Sequence, residues 1–126
     1  MSSDELLFVR RIELPDMIAY AGATWDWHRL HYDTDFLRER GLAKPVVDGQ
    51  VFGAYLAIAL RDWFGAEAVI SALSFRFKSL VFAGETIRCV GSPVRSGSTI
   101  EVDLRVEVVE DGRIAVAPAS ATLTRP

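Results

Sequence analysis

Asp26 and His31, a carboxylate and an imidazole five positions apart, sit in the run Asp26-Trp27-His28-Arg29-Leu30-His31-Tyr32-Asp33. A five-residue step on a continuous α-helix turns two side chains to different faces, so this pair converges only if the chain between them bends into a turn. Converged, the two groups could hold a water between them. The imidazole titrates near physiological pH, which suits proton transfer in either direction. A structural pair that ties down a loop is the competing reading of the same two residues.

The neighbours of that pair carry readings of their own. His28 and Arg29 could form a second polar layer, with Arg29 neutralising Asp33 or Asp26, binding an acidic substrate group, or forming a plain surface salt bridge. A tight Arg29–Asp26 pair would lower the carboxylate's pKa and weaken it as a base. Trp25 and Trp27 could wall an apolar pocket or pack in a subunit interface. Two histidines three apart with no cysteine nearby make a poor metal-binding set. The glycines are dispersed, so no phosphate-cradling loop stands out. Ser71, Ser74 and Ser79 lack the strand-to-helix elbow of a nucleophilic serine.

The elements that must position these residues follow from pattern. Phe8 to Ile12 reads as a strand, and Leu14-Pro15-Asp16 opens a helix through about Ala23, with proline tolerated in a first turn. Asp33 or Thr34 caps a short helix over Asp35 to Arg40, which Gly41 ends. Ala43 to Val47 is extended, because the residue before Pro45 avoids the helical region. Asp48 to Phe64 is a helix apolar on nearly every face, with Arg61 and Asp62 its only charges past the start, and such a helix must be enclosed. Asp48 suits its N-cap, accepting a hydrogen bond from the Gln50 or Val51 N–H. Val69 to Leu80, Thr86 to Val94, Thr99 to Val109 and Arg113 to Thr124 alternate as strands, and Asp111-Gly112 is a hairpin signal. Pro93 and Pro118 each place their strand at an edge or mark a bulge. One apolar helix followed by antiparallel strands that could wrap it defines an α+β architecture.

At 126 residues the chain fits one domain spanning 1–126, short for a self-sufficient core. Half the residues are apolar, an excess that a subunit interface would absorb. No apolar run reaches the length of a membrane-spanning helix, and the acidic start Met1 to Glu5 lacks the features of a secretory signal, so a cytoplasmic location is expected. Cys89 is the only cysteine and falls in an alternating run, as a buried strand residue would. A formal charge of −3 with scattered basic residues argues against a nucleic-acid partner.

The segment from Tyr20 to Leu37 resembles the hydratase-2 motif of the MaoC-like (R)-specific enoyl-thioester hydratases and dehydratases. Tyr20, the small run Ala21-Gly22-Ala23-Thr24, Asp26, His31 and Gly49 stand at matching places. Trp25 takes the place of a Gly, His28-Arg29 of Asn-Pro, Leu37 of a small residue, and Asp48-Gly49-Gln50 of His-Gly-Met. Phe75 to Thr86 is similar to the family's strand, crossover loop and Gly-acid turn. The likeness extends from about residue 16 to the end. It implies a hot-dog fold, an antiparallel sheet wrapped around one long apolar helix, dimerising by pairing sheets edge to edge.

The resemblance also implies that Asp26 and His31 act on one water, adding it across a trans-2-enoyl thioester or removing it from a 3-hydroxyacyl thioester. No cofactor is implied. Gly49 and Gln50, at the start of the central helix, would hold the thioester oxygen, since the first turn of a helix has unpaired N–H groups. Trp25, Trp27 and Tyr55 could line an acyl pocket. Arg76, Lys78 and Arg88 are candidates for the coenzyme A phosphates. A negative Asp48 beside a developing enolate would oppose the reaction unless it faces away or is neutralised. The substrate would be a coenzyme A or acyl-carrier-protein thioester, and the partner a second copy or another hot-dog chain. A hot-dog thioesterase is the further alternative; its acidic residue usually lies on the central helix, where this chain has only Asp48 and Asp62.

Overall fold

The computed structural model describes residues 5–126, and the acidic start Met1 to Asp4 lies outside them. The elements are β1 (Leu6–Arg11), α1 (Leu14–Thr24), α2 (Thr34–Glu39), α3 (Val51–Phe64), β2 (Val69–Phe77), β3 (Thr86–Arg95), β4 (Thr99–Val108) and β5 (Ile114–Thr124). Five strands form one antiparallel sheet in the order β1-β3-β4-β5-β2.

Alternation predicts four successive strands after the helix, and all four are present. Only β3, β4 and β5 form a meander, however. The chain leaves β2 at one edge of the sheet and crosses over Lys78 to Glu85 to reach β3, beside β1 at the other. The crossover begins early because the Lys78 N–H donates to the Ala115 carbonyl at 2.8 Å, with Ser79 N–H on the same oxygen. Periodicity cannot tell a crossover from a hairpin; the connection is decided by which strand offers a partner.

Both sequence options are realised: Pro93 lies past the end of the β1 pairing, on a locally free edge of β3, and Pro118 lies at a bulge on an interior strand. Pairing of β1 with β3 stops at Gly91, and the register slips between Pro93 and Arg95. Around Pro118 the register slips against both neighbours, β4 and β2. A residue without an N–H is accommodated where the ladder is already interrupted.

The inner face of the sheet holds the core. Ile87, Cys89, Ile100, Val102, Val106 and Leu123 are buried against Phe52, Tyr55, Leu56, Ala59 and Leu60 of α3. Burial pushes the Cys89 thiol up to about 12, so it stays a neutral apolar filler. Small residues set the approach distance. A Cβ on Gly91 would lie 2.5 Å from the Trp63 ring, whose indole Nε1–H donates to the Leu7 carbonyl at 3.2 Å.

Enclosure of α3 on every side, predicted from its composition, is not what the chain achieves. Ala54, Ile58, Arg61 and Asp62 form an open face, with Ile58 47% exposed. One sheet covers only one side of a helix, and the remaining apolar surface is left for something else.

The outer face of the sheet is charged. Glu107 accepts from Arg88 at 2.8 Å and from Arg105 at 2.7 Å, and Arg105 also reaches Glu5 at 3.3 Å. Arg88 is therefore engaged within its own sheet rather than free for a phosphate, while Arg76 and Lys78 are exposed. Hydrogen bonds from Arg105 and Arg88 hold the Glu107 carboxyl below its usual range. A depressed carboxylate stabilises the fold above its unfolded pKa, and that contribution disappears as pH falls through its folded pKa. Glu107→Gln should cost about 1 kcal/mol at pH 7. In urea titrations the difference from wild type should vanish on acidification below the carboxylate range; a gap that persists there would remove the electrostatic explanation.

Candidate active site

The turn that presents Asp26 is built at the end of α1. Trp25 takes the left-handed conformation (φ 58°) and its N–H caps the helix on the Ala21 carbonyl, to which Asp26 N–H also donates at 3.2 Å. Glycine normally holds such a position; a tryptophan there costs on the order of 1 kcal/mol. The chain then makes a short 3-10 turn over Arg29–His31, closed by the His28 Nδ1 accepting from Leu30 N–H at 3.1 Å. Asp33 caps α2 by accepting from the Asp35 and Phe36 N–H groups.

His31 is fixed from the other side. Its Nδ1 lies 2.6 Å from the Val46 carbonyl, and Val46 N–H donates to Leu30 O at 2.9 Å. A carbonyl only accepts, so Nδ1 carries the hydrogen and Nε2 keeps its lone pair in the neutral ring. Nε2 faces Asp48 Oδ2 at 3.9 Å, with the two side chains only 14% and 15% exposed. Asp48 Oδ1 accepts from the Gln50 N–H at 3.0 Å.

One side-chain donor atom from each of Asp26, His31 and Asp48 lies within 4.8 Å of the others. Two carboxyl groups this close do not both ionise freely. Asp48 is the more buried, and burial followed by the neighbouring Asp26 raises its pKa; a hydrogen bond from Asp48 in turn lowers that of Asp26. The Tyr20 phenol is pushed up by burial and then by these same two aspartates. The two carboxyl groups are thus driven apart, Asp48 upward and Asp26 downward from the usual carboxylate range.

These groups line one depression of about 300 Å³, its open mouth included, together with Met17, Tyr20, Val47, Val51 and Tyr55. Its enclosed part has room for about one water molecule. The chemistry such a site could do is proton transfer to and from a water placed there.

Of the residues named from sequence, Asp26, His31, Asp48 and Tyr55 meet here. The others do not line it. Arg29 pairs with Asp33 at 2.8 Å, leaving Asp26 free of it, and His28 serves the turn. Trp25 and Trp27 stack edge to face at 5.8 Å outside the depression, with Trp25 79% exposed. Gln50 is exposed, and it rather than Asp48 is the capping position of α3, which starts at Val51. The space above the Gly49 Cα is filled by Phe77, whose ring a Cβ would meet at 2.9 Å. A side chain here would have to displace the exposed Phe77 ring. Its N–H donates to no protein acceptor among the described residues.

Sequence reading missed Tyr20, Met17, Val47 and Val51 as lining residues and the pairing of Asp48 with Asp26. Tyr20 lies nearly two turns before Asp26 on α1, so its place in the motif was the available signal. The Asp48 contact carries none, because it depends on where the 43–47 segment crosses. Asp26, His31 and Asp48 are also, among the described residues, the one set with donors placed to accept a divalent cation.

The architecture is that of the α+β hot-dog proteins. An (R)-hydratase from A. caviae involved in PHA biosynthesis superimposes with a TM-score of 0.88 at 20% identity, over 97% of this chain and 94% of that one. The ChsH1-ChsH2 complex from Mycobacterium tuberculosis gives 0.85 at 19% identity, over 97% and 95%. The HadBC (3R-hydroxyacyl-ACP dehydratase) complex of the same organism gives 0.75 at 15% identity, over 95% and 94%. Residues 9–111 match the model of the MaoC like domain, and the chain belongs to that family.

Proposed function

We propose that this protein adds water to trans-2-enoyl thioesters, giving 3-hydroxyacyl thioesters of R configuration, and catalyses the reverse dehydration. The observation that carries the reading is the convergence of the Asp26 carboxylate and the His31 Nε2 on a space with room for about one water. His31 Nε2 accepts a proton from that water as its oxygen attacks the β-carbon. Asp26 orients the water, and the α-carbon is protonated from the carboxyl groups beside it. The Gly49 N–H, at the positive end of α3, is the donor suited to the enolate oxygen. The upward shift of the Asp48 pKa makes it the carboxyl better suited to stand near that charge, since a neutral acid does not repel it.

The acyl group needs more wall than one chain supplies. The exposed ladder of Trp25, Trp27 and Tyr32 beside Asp26, the open face of α3 at Ile58 and the exposed Val69 and Phe77 of edge strand β2 support a second hot-dog chain covering the site. That chain is a second copy or a different subunit. The matches to two-protein complexes favour testing the latter.

The test is loss of enoyl ultraviolet absorbance when purified protein meets a short trans-2-enoyl-CoA or its carrier-protein thioester, with chiral analysis of the product. Asp26→Asn, which keeps the shape of the side chain, should lower kcat by about 10³-fold. A wild type inactive on both carriers, alone and with any chain that co-purifies, would remove the hydratase reading.

A further inference from the structure

We propose that Arg113, which lies outside the depression, is a positioning residue for His31: its ion pair with Glu85 holds the crossover that in turn holds the carbonyl orienting the His31 ring. The effect on turnover rests on the hydratase reading; the effect on the ring does not.

The imidazole takes its orientation from one acceptor, the Val46 carbonyl, 2.6 Å from Nδ1. Val46 is the middle of an extended segment bonded along both edges. It forms an antiparallel bridge with Phe82, flanked by the Val47 N–H on the Val81 carbonyl at 2.8 Å and the Ala83 N–H on the Pro45 carbonyl at 3.0 Å. Bonds alternate between the two edges of an extended chain, so the N–H and C=O of Val46 itself point the other way, to the Leu30 carbonyl at 2.9 Å and to His31. Where the crossover sits therefore decides where the imidazole sits.

The residues that open β5 clamp the crossover at both ends. At its start the Ala115 carbonyl takes the Lys78 and Ser79 N–H groups. At its end the Glu85 carboxylate accepts the Phe82 N–H at 2.8 Å, closing the turn through Gly84 (φ 91°), and the same oxygen meets Arg113 Nη2. Arg113 Nη1 reaches Asp111, so one guanidinium spans the β4–β5 hairpin and the crossover. Arg113 is the least exposed of the ion-paired arginines among the described residues. Its Nε is buried and meets no acceptor. An arginine kept only for surface charge would leave that donor in water; this one leaves it unmatched and keeps both tips engaged. The Glu85 main chain is tied separately, its carbonyl accepting the Ile12 N–H at 2.9 Å. Removing the guanidinium thus frees the Glu85 side chain and the Phe82 turn rather than strand β3.

The experiment uses the only two histidines of the chain, which hold opposite tautomers. His31 Nδ1 faces a carbonyl and carries the hydrogen, whereas His28 Nδ1 accepts the Leu30 N–H at 3.1 Å and leaves its hydrogen on Nε2. Imidazole nitrogen-15 NMR of the wild type with both rings neutral should show one of each. In Arg113→Met, which keeps the length of the stem and removes the guanidinium, His31 should show mixed tautomers and exchange its ring proton about tenfold faster, with His28 unchanged. Arg113→Lys, which retains the charge, should recover part of the signature. A folded Arg113→Met protein with wild-type His31 signals overturns the proposal, and so does one in which His28 changes equally, since that is general loosening. Should Arg113→Met fail to fold, Glu85→Gln still accepts the Phe82 N–H and loses only the charge facing Arg113; an unaltered His31 there overturns the proposal in the same way.

In turnover, Arg113→Met should lower kcat about tenfold with KM within about twofold. Leu56→Ala, destabilised away from this path, should keep its kcat while folded. An equal loss in both variants would mean that stability alone is being read, and would overturn the positioning role. A wild type whose His31 has the expected tautomer but which hydrates no enoyl thioester would remove the hydratase reading and the turnover effect with it, while the NMR result stands.

Discussion

His31→Ala should lower kcat for enoyl-thioester hydration by about 10³-fold while the protein remains folded. The size follows from what is lost. In the neutral ring, Nε2 is the one imidazole lone pair directed into the site, because Nδ1 is committed to the Val46 carbonyl at 2.6 Å. The Asp26 carboxylate left behind is held below its usual range and is a weak base. The structural cost is smaller. The Val46 carbonyl loses its donor, worth about 1 kcal/mol, and Val46 still holds Leu30 through its own N–H. Thermal unfolding should therefore shift by only a few degrees. Enoyl absorbance measured beside a melting curve separates the two effects. A loss under tenfold in a folded variant would mean that His31 is structural and that the base lies elsewhere.

The second large effect is on stability. Leu56 is fully buried at the centre of α3, in the cluster that joins the helix to the inner face of the sheet. Leu56→Ala removes its transfer free energy and leaves a cavity between elements that cannot both close on it, at a cost of about 3 kcal/mol. For a chain of this length that corresponds to roughly 10 °C in Tm. Because α3 also carries Asp48 and Gly49 at its start, the activity lost on warming should follow the unfolded fraction. Full specific activity is expected at temperatures where the variant is folded. Chemical denaturation at 25 °C gives the stability directly, and a difference below 1 kcal/mol would show that the helix is not clamped where the burial places it.

Most of the elements were legible in the residues. The period of two from Val69 onward, the capping Asp33, Pro15 in a first turn and the apolar run after Gln50 each have one local physical meaning, and each became the element they describe. Boundaries moved where a long-range hydrogen bond intervened. β2 ends at Phe77 rather than Leu80 because Ala115 captures the next two N–H groups, and β1 begins at Leu6 because Gly91 and Val90 are there to pair with it.

The site divides along the same line. Sequence singled out Asp26 and His31, since the turn that joins them is written in the four residues between them, and the motif likeness supplied the role proposed for them. It also determined that a helix as apolar as α3 needs covering. Tertiary structure alone decided that Asp48 stands near both of them, that the Phe77 ring lies over Gly49, that Arg29 serves Asp33, and that one face of α3 stays open. Each of these depends on which segments cross in space, and spacing along the chain reports only on contacts a few residues apart.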